Sequence, residues 1–481
     1  MWKVQIYSLL LALTCIVGSK GYSQFSGENP AGDQGEQAPT DTVLSKSFLV
    51  KDIVISGNKK TRPYIIEREL LFRRGDSVNL TDLVKKFERS KELLLNTALF
   101  HEVIISLQKF EGHDIYVAID VKERWYIFPI PYFKPVDRNL SEWVKQGFGI
   151  DRVNYGFKFS YYNFSGRNDK LKIWLITGYT KQIQFQYDLP YIDRSLKYGF
   201  RINFSYSTNK EVNYATIDDQ QQFYNDTAHG KTLSRMYTGG IELTYRPFIK
   251  TRNTLKIGYV YQEVDSSITD LNPEYFNNDL TFTSFPEVSY KVEYNNVDYT
   301  PYPQKGFMGE VSLLKRGLNS KMNMWQLGYR GSQNVKLSAK TSYSFQSNGM
   351  LRFPFDQPYI NQRMFGYNDF YLRGLEKYVI DGVGGILVKN TLRREVFSFN
   401  IISPFNTSIQ KIPFQFFAKT YADAGYAYNK SSDANYLVNR MMYTGGFGID
   451  MKTIYDIILR FEYSFNQRGE SGFFFHVKND F

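Results

Sequence analysis

A single cysteine among 481 residues excludes a disulfide framework and any thiolate-based zinc or iron–sulfur centre. The four histidines, His101, His113, His229 and His476, sit far apart, and no His-Glu-x-x-His run pairs two of them on a helix, so no metal site is expected. No Gly-x-Ser-x-Gly elbow occurs, since Gly469-Glu470-Ser471-Gly472 reads as a turn into the last strand. Gly382-Val383-Gly384-Gly385 lacks the preceding strand and following helix of a dinucleotide loop. No catalytic residue and no cofactor is therefore expected. No stretch reaches 18 consecutive apolar residues, which excludes a transmembrane helix. Charged residues, at 22%, are ordinary, which excludes wholesale disorder.

What the chain has in excess is aromatic side chains, at 17%, together with 35 glycines, a composition of strands and turns. Residues 1–23 read as a secretory signal: Lys3 is the basic start, Ile6–Val17 the apolar run, and Gly21-Tyr22-Ser23 a small-x-small cleavage site. Thr14 before Cys15 and the apolar Ile16 and Val17 after it do not fit a lipid-anchor site. Cleavage removes Lys3, Lys20 and the only cysteine, leaving a net charge of +9 instead of +11. Export makes nucleic acid an improper partner for this basic balance and points to lipid headgroup or lipopolysaccharide phosphates. Residues 24–45 are polar, rich in Gly and Pro, and read as a flexible linker.

Residues 46–123 read as a small α+β module with the order strand, helix, helix, strand, strand. Its predicted pieces are Phe48–Ser56, Arg62–Phe72, Leu80–Thr97, Glu102–Gln108 and Asp114–Val121. From residue 124 onward the hydrophobic period is two. Tyr455–Asn466 puts Ile457, Leu459, Phe461, Tyr463 and Phe465 on one face and Arg460, Glu462, Ser464 and Asn466 on the other. About 16 such strands can be placed, among them 125–135, 335–347, 413–427 and 471–481. Short turns such as Lys452-Thr453-Ile454 alternate with long polar connections such as Asn209–Thr232 and Asp265–Phe282. An even number of alternating strands with this loop asymmetry predicts a membrane β-barrel over residues 124–481.

At this point the chain resembles the BamA/TamA-type superfamily of outer-membrane assembly factors and translocases. The 46–123 module is similar to one POTRA domain, with Ile53-x-Ile55-x-Gly57-Asn58 and Thr97-Ala98-Leu99-Phe100. Asn163-Phe164-Ser165-Gly166 and Pro303-Gln304-Lys305-Gly306 are similar to two of the family's turns. Leu372-Arg373-Gly374-Leu375 resembles the Arg-Gly tip of the family's long inward loop, here within 350–382, with Leu375 in place of an aromatic residue. Tyr421-Ala422-Asp423-Ala424-Gly425 resembles its Phe-x-Asp-x-Gly strand motif, with Tyr421 in place of Phe, and the terminal Phe481 is like the aromatic end signal of such barrels. The resemblance implies a bacterial outer-membrane barrel with its POTRA domain in the periplasm. It also implies unfolded or extended polypeptide clients and allows periplasmic or lipoprotein partners.

The resemblance gives Arg373 and Gly374 a role as a loop-tip lock. Period-two placement puts Asp423 on the same strand face as Gln415 and Lys419, with Phe417 as an apolar exception, and Glu395 on the same face as Lys389, Thr391 and Arg393. Asp423, and with it Glu395, is the expected carboxylate partner of Arg373. A seam is expected between first and last strands. Pro129 and Pro131 share one parity, so both remove a donor toward the same neighbour, either the last strand across the seam or the second strand. Termination of the first strand at these prolines is the third option. Two functions remain: a barrel that inserts or translocates polypeptides, with the periplasmic module adding extended substrate to its sheet edge, or a solute channel or structural pore with a periplasmic adaptor.

Overall fold

The computed structural model describes residues 47–135, 153–226, 230–277, 280–319, 322–367, 370–402, 411–430 and 435–478. The expected signal peptide, the linker, His229 and Phe481 lie outside the described residues.

The first module runs β1 (Ser47–Ser56), α1 (Pro63–Glu67), β2 (Ser77–Asn79), α2 (Leu80–Asn96), β3 (Phe100–Glu111) and β4 (Asp114–Glu123). Its sheet has the order β2-β1-β4-β3, with β1 and β4 parallel, so β3 forms one edge. Val50, Ile65, Ile66, Leu83, Leu94, Val117 and Ile119 pack into one buried core between sheet and helices. Two details differ from the sequence expectation. The first helix ends at Glu67 with Arg68 as its C-cap, and the side chains of Arg68 and Glu69 reach the barrel rim at Leu196 and Arg246. A short strand, β2, lies between the helices and pairs antiparallel with β1.

Sixteen strands then form one sheet. They are β5 (Ile127–Pro135), β6 (Val153–Tyr162), β7 (Lys170–Gly178), β8 (Thr180–Leu189), β9 (Tyr198–Asn209), β12 (Ser234–Phe248), β13 (Thr251–Val264) and β14 (Phe282–Val297). After them come β15 (Gly306–Asn319), β16 (Met322–Lys336), β17 (Thr341–Phe353), β20 (Gly384–Ile402), β21 (Lys411–Tyr428), β22 (Met441–Lys452), β23 (Ile458–Asn466) and β24 (Ser471–Lys478). The long connection after β9 contains a hairpin, β10 (Glu211–Ile217) and β11 (Gln220–Asn225), and the connection after β17 contains β18 (Arg363–Phe365) paired with β19 (Ile380–Asp381). Each barrel strand pairs antiparallel with its neighbours in the order given. Alternation sets the faces: Phe461, Tyr463 and Phe465 are exposed, while Glu462 and Ser464 point into the buried interior.

The two ends of this sheet are brought together. Phe128 on β5 lies 6.0 Å from Tyr455 in the turn after β22, and Arg124 forks onto Asp456 in the same turn at 2.7 and 3.3 Å. The sheet is therefore rolled into a barrel. The strand predicted over 335–347 is corrected to Thr341–Phe353. Leu337 and Ser338 both donate to the Thr341 carbonyl, closing a turn through which the apolar alternation continues unbroken, so periodicity alone did not mark it. The long polar connection expected over Asn209–Thr232 holds the β10–β11 hairpin. Its turn uses Asp218 and Asp219, both at positive φ, rather than a glycine.

Candidate functional site

The lumen is occupied by the inward loop that follows β17. Leu372, Leu375, Tyr378 and Ile380 of that loop pack with Leu387 of β20, Ala427 of β21 and Met442 of β22 in a buried cluster. Leu375, which stands where the resembled motif has an aromatic residue, is part of this cluster. The loop tip is fixed by β21. Arg373 donates from Nε to Asp423 Oδ2 at 2.8 Å and from Nη2 to Oδ1 at 2.5 Å, a two-pronged charge-assisted pair. Its guanidinium carbon lies 4.0 Å from the centre of the Tyr421 ring, a cation–π contact. Nη2 also reaches the Asn390 carbonyl at 3.4 Å.

Tyr421, Asp423 and Gly425 alternate along β21 and all face the lumen. Tyr421 forms the bed of the guanidinium and Asp423 takes its fork. Gly425 leaves the room: a Cβ there would lie 2.6 Å from Leu387 and 3.2 Å from Leu372. At the tip, Gly374 has φ +90°, and a Cβ would come 2.9 Å from Ser464. Only glycine suits that position on both counts.

Glu395 does not join this pair. On β20 the residue opposite Asp423 is Lys389, whereas Glu395 stands opposite Phe417, six residues further along, about 20 Å away at strand spacing. The second carboxylate near Arg373 is Glu462 of β23, whose Oε1 is 4.0 Å from Nη1. Glu462 also binds Lys419 Nζ at 2.6 Å, and Lys419 pairs with Asp450, which accepts from Tyr302 at 2.8 Å. Phe417, the apolar exception, packs its ring 4.9 Å from Tyr302. Period-two placement had set Glu462 on the polar face of its strand, but which strand the loop tip would touch was not contained in that pattern.

The prolines of β5 have a definite orientation. The Tyr162 amide donates to the Tyr126 carbonyl at 2.8 Å, and the register continues as Ile127 with Tyr161 and Pro129 with Phe159. Hydrogen-bonding groups alternate sides along an antiparallel strand. Even-numbered positions of β5 therefore address β6, and Pro129 and Pro131 face the other edge. Both continue the strand, which runs to Pro135, rather than ending it. Among the described residues no ladder joins β5 to β24.

The first module is tied to the barrel rim through turns between several strand pairs. Glu69 is buried and accepts from Arg246 at 2.6 and 3.0 Å, from Arg68 at 3.2 Å and from Tyr191 at 3.3 Å. Arg89 of α2 donates to Val297 and Asn296 at 2.9 and 2.7 Å. The Asn163–Gly166 turn meets the module at Thr61 and Arg62, with bonds of 2.9 and 3.0 Å.

Family models match in both parts: a POTRA model described as surface antigen variable number repeat over residues 48–124, and the Omp85 superfamily domain over residues 163–379. The barrel thus carries an Omp85 superfamily domain and the first module a POTRA domain. The chain is 31% identical over 135 residues to outer membrane protein assembly factor BamA of Neorickettsia risticii (strain Illinois), a match covering 28% of the chain and 16% of that relative's length. Its fold is similar to that of CdiB from Escherichia coli, with a TM-score of 0.55 at 12% identity over 89% of this chain and 76% of that one. BamA from Haemophilus ducreyi lacking POTRA domains 1–3 aligns at a TM-score of 0.49 and 14% identity over 89% and 84% of the two chains. Omp85 proteins are outer-membrane β-barrels with periplasmic POTRA domains, so the barrel resides in the outer membrane and the first module in the periplasm. Omp85-family assembly and translocation factors are non-enzymatic transporters and insertases.

Proposed function

We propose that this protein inserts or translocates polypeptides at the outer membrane, receiving an extended client on the POTRA domain and handling it at the seam between β5 and β24. The orientation of the β5 prolines carries this reading. Pro129 and Pro131 withdraw two donors from the edge that faces β24, which weakens closure there by about 0.5–1.5 kcal/mol for each missing bond. An edge so weakened, in a barrel otherwise laddered throughout, is suited to open and pair with a client strand. The position of β3 at the edge of the POTRA sheet supports the receiving step by the same strand addition. The buried cluster of the inward loop in the lumen favours polypeptide handling over an open solute pore. Lipid and lipopolysaccharide around the seam, and periplasmic or lipoprotein partners, belong to this proposal.

The mature chain, without Cys15, offers a thiol-free background for the test. One cysteine within residues 126–130 and one within 473–477 are introduced together. Oxidation is expected to lock the seam and stop client handling, and reduction to restore it. A locked barrel with normal activity overturns the seam reading. Photocrosslinking from residues 103–111 in living cells is expected to trap extended polypeptides, and their absence removes the receiving role of β3.

A further inference from the structure

We propose that Glu376, Glu462 and His476 form a binding site for a first-row divalent cation, with Zn²⁺ the best match. The three residues come from three segments: the inward loop just after its tip, β23, and the edge strand β24. Alternation exposes Phe473, Phe475 and Val477 and turns His476 into the lumen, diagonal to Glu462 across the β23–β24 ladder. His476 Nε2 lies 3.5 Å from Glu376 Oε1 and 3.5 Å from Glu462 Oε2, and the three ligand atoms all lie within 4.8 Å of one another.

Those spacings are too long for hydrogen bonds and suit a shared ion. Nitrogen and oxygen ligands at about 2.0–2.1 Å in tetrahedral geometry stand roughly 3.4 Å apart. An imidazole N–H serving a carboxylate directly would close to about 2.7–3.2 Å. Instead, His476 Nε2 and Glu376 Oε1 are both buried atoms with no hydrogen-bond partner among the described residues. A single imidazolium N–H also satisfies only one of two equidistant oxygens well, whereas a cation satisfies both.

The surroundings hold the ligands in place. Glu376 uses its other oxygen, Oε2, to accept from the Gly374 amide at 2.6 Å. Glu462 uses Oε1 for Lys419 and turns Oε2 to the site. Each carboxylate is thus fixed through one oxygen and free through the other, the arrangement by which outer contacts orient metal ligands. Of the neighbouring cations, Arg373 is paired with Asp423 and Lys419 with Asp450, while Arg460, opposite His476 across the ladder, and Lys389 also lie near Glu462. His476 retains a side-chain exposure of 26%, which leaves room for a water in the fourth position. A bound ion would join the loop tip to both strands at the last edge of the barrel.

The test uses the untagged full-length chain, purified in detergent, stripped with a chelator and titrated with Zn²⁺ by calorimetry. Co²⁺ is titrated in parallel and followed by visible absorption, which reports tetrahedral coordination. One equivalent of each ion is expected to bind. Glu376→Gln and His476→Gln are each expected to lower the affinity about tenfold or more, while His113→Gln leaves it unchanged. A closed barrel resists detergent because its backbone groups are paired, so faster gel migration unheated than boiled reports that each variant is assembled. Should His476→Gln not assemble, Glu376→Gln, outside the barrel ladder, carries the test. No saturable binding by the parent chain, or equal binding by an assembled Glu376→Gln variant, overturns the site.

Discussion

The guanidinium of Arg373 and the carboxylate of Asp423, fifty positions apart in the chain, meet in two parallel hydrogen bonds of 2.8 and 2.5 Å above the Tyr421 ring. Removing either partner leaves the other buried without its hydrogen-bonded counter-ion, which costs about 3–5 kcal/mol. Arg373→Ala and Asp423→Ala are each expected to free the inward loop, raising its amide hydrogen exchange, while the barrel keeps its heat-dependent gel migration. The double variant is expected to lose less than the two single losses together. Strict additivity in denaturant titrations would show that the residues act separately.

Gly425 is expected to admit no side chain. A Cβ there meets Leu387 at 2.6 Å and Leu372 at 3.2 Å, next to the arginine of the lock. Gly425→Ala is expected to lower stability by about 1–3 kcal/mol, the range for overpacking, and to displace the loop tip. A cysteine-reactivity probe placed at residue 372 would then become accessible in the variant and stay protected in the parent.

Glu69 and Arg246 anchor the periplasmic domain to the barrel through two bonds, at 2.6 and 3.0 Å. Glu69→Ala leaves a buried arginine without its carboxylate, a loss of about 3–5 kcal/mol at that contact. Wider interdomain distance distributions by electron paramagnetic resonance, with unchanged heat-dependent migration of the barrel, are the expected result. An unchanged distribution would mean that the remaining rim contacts suffice.

His101 on β3 supplies a pH dependence. Burial holds its pKa below the ordinary histidine value of 6.5, and its Nδ1 is buried without a hydrogen-bond partner among the described residues. In the unfolded chain the imidazole takes up a proton near pH 6.5, whereas in the fold it stays neutral to lower pH. The unfolded state therefore binds more protons, and stability falls as pH drops below 6.5. Acidification is expected to loosen the POTRA sheet, measured by hydrogen exchange of β3 and β4, and His101→Gln is expected to flatten that dependence.

Alternation and turn chemistry were legible in the chain because a strand exposes every second residue whatever it pairs with. That is why sixteen strands, the lumen face of Asp423 and the parity of Pro129 and Pro131 could be read directly. The hairpin at Asp218-Asp219 and the turn at Leu337 escaped, the first for lack of a glycine signal and the second because the pattern ran through it. Glu395 was assigned to the lock on parity alone. Parity fixes the face of a strand and leaves open the height along it, and Glu395 stands at the wrong height.

The sequence by itself determined the class of the molecule: a POTRA module, a barrel, an arginine that needs an acid, and prolines that need an edge. Tertiary structure alone decided which acid lies beside Arg373, which edge the prolines face, and that Glu376, Glu462 and His476 share one point. The reason is physical. Local propensity and period are set by near neighbours along the chain. Contacts between an inward loop and strands β21, β23 and β24 depend on strand order, stagger and curvature, which only the closed sheet defines.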